Sequence, residues 1–264
     1  MDKCFEGEWA LILGSSSGMG LASAKALASH GMNILGVHFD RRSAMKKIEE
    51  EIAWMKDQGV EVEFFNQNAA DEEKRRATVD AIKERTGGKR LRTLLHSLAF
   101  GTLKRFINES EDGELTQKQM EMTLDVMANS LVYWVQDLRR AGLIASGSRI
   151  FGLTSAGSHT AWPNYGAVSA AKAALESHIR QITFEGAKDG VSANAIQAGV
   201  VVTPALEKIP GHEKLISEAL ARNPSGRMTT VEDVSKVVCL LSRPEADWIR
   251  GSVVFCDGGE DIVG

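Results

Sequence analysis

The stretch Leu11-Ile-Leu-Gly14-Ser-Ser-Ser-Gly18-Met-Gly20, near the start of the chain, decides the fold that the sequence predicts. A short apolar run, Trp9–Leu13, leads into three glycines, and a helical segment near 18–30 follows them. A glycine loop between a strand and a helix can bind a phosphate, because the free amides and the dipole at a helix N-terminus favour an anion. An ordinary strand-to-helix turn is the alternative. We expect a dinucleotide pyrophosphate to be held by Gly14, Ser15, Ser16, Ser17, Gly18, Met19 and Gly20.

Outward from this stretch, short apolar runs alternate with longer segments of helical periodicity. The predicted strands are Trp9–Leu13, Asn33–Val37, Val60–Phe65, Leu91–His96, Ser148–Leu153, Val191–Ile196 and Ser252–Cys256. Helical segments lie near 18–30, 42–58, 71–86, 116–142, 163–188 and 230–242, with start signals at Asp71 and at the capping box Thr116-x-x-Gln119. This alternation predicts an α/β fold, a single Rossmann-like doubly wound parallel sheet of about seven strands with helices on both faces.

Nothing in the sequence marks a second domain, so residues 1–264 are expected to form one dinucleotide-binding domain. One long irregular insertion, about 199–229, carries Pro204, Pro210 and Pro224 and interrupts the alternation before the last helix. Loops of that length in a compact fold are commonly lids over a site or disordered. We expect this insertion to bind substrate.

Composition narrows the classes of function. The net charge of −4 gives no basic field for nucleic acid, and no apolar run approaches the roughly 20 residues that span a bilayer. The acidic start of the chain lacks the order of a signal peptide, so we expect a cytoplasmic protein. Three scattered cysteines, Cys4, Cys239 and Cys256, predict reduced structural thiols and no metal site.

Residues after the second and third strands predict how the nucleotide is selected. His38 stands eighteen residues after Gly20, where many NAD-binding chains place an acid that holds the ribose hydroxyls. Arg41 and Arg42 follow, and two guanidinium groups there can grip a 2′-phosphate. This favours NADPH and leaves NADH possible, because Asp40 can reach the ribose instead. Asn68 and Ala69 are candidates for the adenine, although an ordinary polar turn also explains Asn68.

The chemistry is predicted from the segment Thr154-Ser155-Ala-Gly-Ser-His-Thr-Ala-Trp-Pro-Asn-Tyr165, which continues to Lys172. A phenol acts as an acid near neutral pH only where its anion is stabilised, and a nearby ammonium supplies that stabilisation. Tyr165 and Lys172 are seven residues apart, which is two helical turns on one face. A core tyrosine and an exposed lysine are the alternative reading of this pair. Ser155 either touches substrate or makes a strand-end hydrogen bond.

The motifs described above, together with several others, resemble those of a known family. The chain resembles the short-chain dehydrogenase/reductase family along nearly its full length: the Gly14–Gly20 loop, the Ser155–Lys172 segment, Asn194–Thr203, Asn223–Arg227 and Asp257–Gly259. Most members have the catalytic Tyr four residues before the Lys, where this chain has Val168. Tyr-x6-Lys is typical of the enoyl-[acyl-carrier-protein] reductase branch, which the chain also resembles at His96-Ser-Leu-Ala-Phe-Gly101 and Gln197–Thr203. The insertion looks most like the third bacterial class, whose members typically use NADPH.

The resemblance implies NAD(P)H-dependent reduction of trans-2-enoyl thioesters in fatty acid synthesis, with an acyl-carrier protein or coenzyme A thioester as substrate and a homotetramer as the assembly. Tyr165 would stabilise the enolate, and Lys172 would hold the nicotinamide ribose. Further nucleotide contacts are implied at Ser97, Val201 and Thr203, and substrate contacts at Phe100, Gly101, Leu206 and Ile209. The helices near 116–142 and 163–188 would lie at interfaces between subunits.

The sequence departs from the family pattern at two positions that matter. Ser17 stands where NADPH-using members often have Arg or Lys, and Met127 stands where ordinary members have a catalytic Asn. Loss of that Asn agrees with enoyl reduction. A 3-oxoacyl or other carbonyl reductase on the same fold remains the main alternative. A non-catalytic dinucleotide-sensing protein is a third reading.

Overall fold

The computed structural model describes residues 3–263, apart from the side chain of Glu111. Seven parallel strands form one sheet in the order β3-β2-β1-β4-β5-β6-β7. The strands are β1 Trp9–Leu13, β2 Asn33–His38, β3 Val62–Asn66, β4 Thr93–His96, β5 Arg149–Ser155, β6 Ser192–Ala198 and β7 Val253–Cys256. The predicted α/β sheet is therefore confirmed, and the strand order reverses direction between β1 and β4.

The helices are α1 Gly18–Ser29, α2 Met45–Lys56, α3 Glu72–Thr86, α4 Gln117–Leu124, α5 Ser130–Arg140, α6 Gly166–Gly186, α7 His212–Arg222 and α8 Val231–Leu241. They cover both faces of the sheet. Leu11 and Leu13 of β1 lie in the core beneath α3, α5 and α6, whereas Ala10 and Ile12 lie in the core beneath α1, α2 and α8. Successive strand residues point to opposite faces, so a continuous apolar run supplies both cores.

The predicted helix starts are confirmed at Asp71, whose side chain accepts a hydrogen bond from the Lys74 amide, and at the Thr116/Gln119 capping box. The predicted helix near 116–142 contains an interruption. Residues Asp125–Asn129 form a π-helical stretch between α4 and α5. Such stretches are often found near functional sites, and this one brings Met127 toward the carboxyl edge of the sheet.

The prediction of an irregular insertion at 199–229 is wrong for its middle part, because α7 occupies His212–Arg222. Gly211 precedes α7 with a φ of 77°, and Asn223 ends it in an extended conformation. The helical pattern of this short amphipathic helix was not recognised in the sequence, because prolines and glycines interrupt the pattern on both sides. Among residues 3–263, no helix is both long and apolar enough to cross a membrane.

Candidate active site

The glycine loop lies at the carboxyl ends of β1 and β4, where the strand order reverses. Gly14 has a φ of 91°, and its amide donates to Val37 O at 2.8 Å. A Cβ on Gly14 would lie 2.5 Å from Ser97 O, and one on Gly20 would lie 2.0 Å from Gly14 O. Neither position accepts a side chain, because Gly14 packs against Ser97 after β4 and Gly20 packs against Gly14 itself. Ser97 therefore lies beside the loop, and its contact with the nucleotide stays a prediction.

Helix α1 begins at Gly18 directly after this turn. Ser17 is extended, and its side chain makes no capping hydrogen bond within the described chain. The start of α1 thus offers backbone amides and the positive end of the helix dipole to an anion. The position of a Cβ on Gly18 lies 3.5 Å from Thr203 Cγ2, so the loop after β6 faces the glycine loop across the same cleft. These features fit a dinucleotide pyrophosphate.

His38 ends β2 as a buried residue, and its Nδ1 lies 3.0 Å from Asp40 Oδ2. Asn66, at the end of β3, accepts a hydrogen bond from the Asp40 amide and donates one to Asp40 O, both at 3.0 Å. Asn66 thereby holds the Asp40 backbone and His38 contacts its carboxylate, at the end of β2 where the adenine ribose of a bound nucleotide is expected. Arg41 and Arg42 are exposed.

Asn68 forms the polar turn that the sequence left as an alternative, because its Oδ1 accepts a hydrogen bond from the Ala70 amide at 3.0 Å. Ala69 is buried, and its carbonyl accepts a hydrogen bond from Trp134 Nε1 at 2.9 Å. An adenine contact from this turn stays a prediction.

Tyr165 immediately precedes α6, at the mouth of the cleft. Burial raises the pKa of its phenol above the ordinary value, and the nearby Ser155 hydroxyl partly opposes that shift. A Cβ on Gly157 would lie 2.5 Å from Tyr165 Cε1 and 3.2 Å from Ser155 Oγ. Gly157 therefore lets the tyrosine ring and the serine hydroxyl pack against one turn. Apart from that Tyr165 contact, Ser155 Oγ is buried and has no hydrogen-bond partner among the described residues.

Lys172 lies in the second turn of α6 and is buried. Its Nζ donates to Leu153 O at 2.6 Å, so the ammonium is held at the end of β5. Burial lowers the pKa of Lys172 to about 8, and the Glu176 carboxylate acts in the opposite direction. The structure thus excludes the reading in which Lys172 is an exposed surface lysine.

An apolar wall adjoins Tyr165. A Cβ on Gly101 would lie 2.7 Å from Thr123 Cγ2 and 2.9 Å from both Met127 Sδ and Val168 Cγ2. Met127 and Val168 occupy the positions where ordinary members of the resembled family have Asn and Tyr, and both are buried in one core. No polar side chain stands at either position, so Tyr165 is the phenol available at this edge.

The other predicted substrate residues lie in different environments. Leu206 is buried and Ile209 half-buried at the start of the insertion, whereas Phe100 is 64% exposed. Val201 and Thr203 are buried on the loop after β6, and Thr203 Oγ1 accepts a hydrogen bond from the Leu206 amide at 3.3 Å. The structure therefore brings Thr203 and Leu206 together, and it leaves Phe100 at the surface.

His96, to which the sequence assigned no role, is buried beneath the site. His96 ends β4 and has no exposed surface, and its Nε2 lies 2.9 Å from Ser130 Oγ. Burial and the neighbouring Lys172 charge lower the pKa of His96 to about 3, so the imidazole stays neutral. The motif His96–Gly101 was visible in the sequence, but the packing of its first residue under Lys172 was not.

Three features together define a short-chain dehydrogenase/reductase: the seven-stranded parallel sheet, the glycine loop where its strand order reverses, and the half-buried Tyr165 with the buried Lys172 at the start of α6. Residues 14–260 match the family model described as Enoyl-(Acyl carrier protein) reductase, and the chain belongs to that family.

Relatives and a solved structure agree with this membership. The chain is 29% identical over 236 residues to the enoyl-[acyl-carrier-protein] reductase [NADH] FabI of Enterococcus faecalis, covering 89% of each chain. It is 30% identical to enoyl-[acyl-carrier-protein] reductase [NADH] 2 of Rhizobium meliloti, covering 70% of this chain and 67% of the relative. The crystal structure of the enoyl-[acyl-carrier-protein] reductase (NADH) from Aquifex aeolicus superposes with a TM-score of 0.86 at 27% identity, covering 99% of both chains.

Proposed function

We propose that this protein is an enoyl reductase that transfers hydride from NADH to the β-carbon of a trans-2-enoyl thioester. The observation that carries the proposal is the Tyr-x6-Lys pair: the half-buried Tyr165 directly precedes α6, and the buried Lys172 lies in its second turn. Tyr165 packs against the core that contains Met127 and Val168. The names of the relatives support the same substrate class.

The reduced nicotinamide supplies the hydride when it is bound. Hydride addition moves negative charge to the thioester oxygen as an enolate. Because burial raises the pKa of Tyr165, its phenol is protonated at neutral pH and can donate a hydrogen bond to that oxygen. Lys172, with a pKa of about 8, is mostly an ammonium at pH 7, held on Leu153 O, and would hold the nicotinamide ribose. Ser155 Oγ is available as a second donor.

The choice between NADH and NADPH turns on Asp40. The predicted preference for NADPH is not supported, because the relatives above are named for NADH. In addition, His38 contacts the Asp40 carboxylate and Asn66 holds the Asp40 backbone. A carboxylate accepts hydrogen bonds from ribose hydroxyls and repels a 2′-phosphate. We therefore propose NADH as the principal cofactor. Resemblance to the third bacterial class stays a prediction.

A groove of about 270 Å³ adjoins the tyrosine, lined by Lys104, Arg105, Phe106, Ile107, Trp162, Asn164 and Gly166. Asn164 and Gly166 flank Tyr165 in the chain, so the groove lies beside the start of α6. It combines exposed apolar side chains with the exposed cation of Arg105. This combination suits the long arm of an acyl-carrier protein or coenzyme A thioester, in which an amide chain ends in a phosphate.

The test follows NADH and NADPH absorbance with crotonyl and longer trans-2-enoyl thioesters, and with 3-oxoacyl thioesters. Wild type is compared with Tyr165→Phe. We expect enoyl-dependent NADH oxidation that falls at least about a hundredfold in the variant, because a donor to a developing oxyanion contributes roughly 3–4 kcal/mol. Turnover only with 3-oxoacyl thioesters would instead establish the carbonyl reductase. Nucleotide binding without any turnover would favour the sensing protein.

A further inference from the structure

The turn after β7 contacts two other parts of the cleft. We name residues Asp257–Asp261 the C-terminal acidic turn. Asp257 and Glu260 are each 5% exposed, although carboxylates are seldom so deeply buried without partners. Asp257 holds the turn together, because its two oxygens accept hydrogen bonds from the Gly259 amide at 2.9 Å and the Asp261 amide at 3.0 Å. The turn therefore presents Glu260 in one fixed direction.

Glu260 contacts the loop after β6. Its Oε2 accepts a hydrogen bond from the Val200 amide at 3.1 Å. A Cβ on Gly199 would lie 2.8 Å from the same oxygen, so only glycine lets the carboxylate approach this closely. Val201 and Thr203 follow on this loop, and Thr203 lies against Gly18 of the glycine loop. Glu260 thus supports the segment that faces the proposed nucleotide.

Glu260 also contacts the end of α7. Arg222, the last residue of α7, has its Nη2 3.7 Å from Glu260 Oε1. Asn223, the next residue, donates from Nδ2 to Asp257 O at 2.8 Å. Burial raises the pKa of Glu260, whereas the Val200 amide and the Arg222 guanidinium act to lower it. One buried carboxylate therefore bridges the nucleotide loop and the end of α7.

We propose that Glu260 is a positioning residue that couples nucleotide binding to the packing of α7 against the C-terminal acidic turn. The inference rests on the proposed function only in that a nicotinamide nucleotide must bind beside Val200–Thr203. When the nucleotide orders that loop, the Val200 amide fixes Glu260, and Glu260 fixes Arg222. Reciprocity requires that, if the nucleotide stabilises the position of α7, a seated α7 strengthens nucleotide binding by the same factor. Removing the Arg222 contact should weaken both effects.

The test measures NADH affinity by fluorescence and hydrogen exchange of residues 212–222 with and without NADH. The variants are Glu260→Gln, Arg222→Gln and the double variant. Glu232→Gln, an exposed carboxylate on α8, is the matched control. We expect NADH to slow exchange in wild-type α7 at least tenfold and in Arg222→Gln less than threefold. Glu260→Gln should raise the Kd for NADH about tenfold, and the double variant should bind no more weakly than Glu260→Gln.

The outcomes distinguish a failure of the Glu260 coupling from a failure of the proposed function. If wild type binds NADH but Arg222→Gln keeps the full protection of α7, or if the two substitutions add, the coupling does not exist and the proposed function still stands. If wild type binds neither NADH nor NADPH, the proposed function and this inference both fail. Arg222 is 45% exposed, so its variant tests the coupling even if Glu260→Gln folds poorly.

Discussion

At the scale of single residues, the buried ammonium of Lys172 lowers the stability of the fold, although the proposed chemistry requires it. Its ammonium is buried, and its pKa of about 8 in the folded protein lies below the ordinary 10.5. Between these two values the unfolded chain binds more protons than the folded protein, so stability from this group rises with pH over that window. Below pH 8 the buried charge costs roughly 3 kcal/mol.

We therefore predict that Lys172→Met has an unfolding free energy about 1–3 kcal/mol greater than wild type at pH 7 and unfolds at a higher temperature. Its activity should be lost. The gain should shrink toward pH 10. Denaturant unfolding at several pH values measures it, with Lys188→Met, an exposed lysine, as the control. A Lys172→Met protein that is less stable at pH 7 would show that the hydrogen bond to Leu153 O outweighs the cost of burial.

Asp40 is the residue at which nucleotide choice can be changed. Because a carboxylate repels a 2′-phosphate, we expect Asp40→Ser to raise the ratio of kcat/KM for NADPH to that for NADH at least tenfold. Adding Arg41→Ala should reduce the gain for NADPH and leave NADH unchanged. Steady-state rates with the two nucleotides check both effects. An unchanged ratio in Asp40→Ser would mean that the carboxylate does not face the ribose.

At the scale of elements, α3 and α5 are joined by a buried ion pair. Arg75 Nε lies 2.7 Å from Asp137 Oδ2, and both side chains are less than 10% exposed. Removing one partner leaves a charge buried alone, which typically costs 3–5 kcal/mol. We predict a loss of about 3 kcal/mol in unfolding free energy for Asp137→Asn. Glu72→Gln, which removes the exposed pair with Arg76, should change it by less than about 1 kcal/mol. Equal effects would contradict this account.

The elements also show which parts of the fold sequence patterns predict and which they do not. The alternation of apolar runs and helical segments was enough to predict seven strands and their parallel arrangement. It failed at α7, which has eleven residues between a glycine and an asparagine, and at the π-helical stretch. Short or irregular helices are stabilised by what they pack against, and periodicity alone does not contain that information.

At the scale of the whole molecule, several large apolar side chains remain uncovered: Phe184 on α6 is 78% exposed and Trp248 is 89% exposed. The resemblance implied a homotetramer with α4, α5 and α6 at interfaces. We expect light scattering after gel filtration to give about four times 28.6 kDa. Phe184→Glu should shift the mass to a smaller species, because it places a charge in a buried interface. A wild-type monomer would contradict both expectations.

The sequence by itself determined the sheet, the glycine loop and the spacing of Tyr165 and Lys172, because each depends on residues close together in the chain. Only the tertiary structure decided the rest. Asn66 fixes Asp40 from 26 residues away, and Glu260 reaches the Val200 amide from 60 residues away. It also decided that Lys172 is buried. Such contacts arise from the folding of distant segments against one another, and their energies depend on burial, which no local pattern specifies.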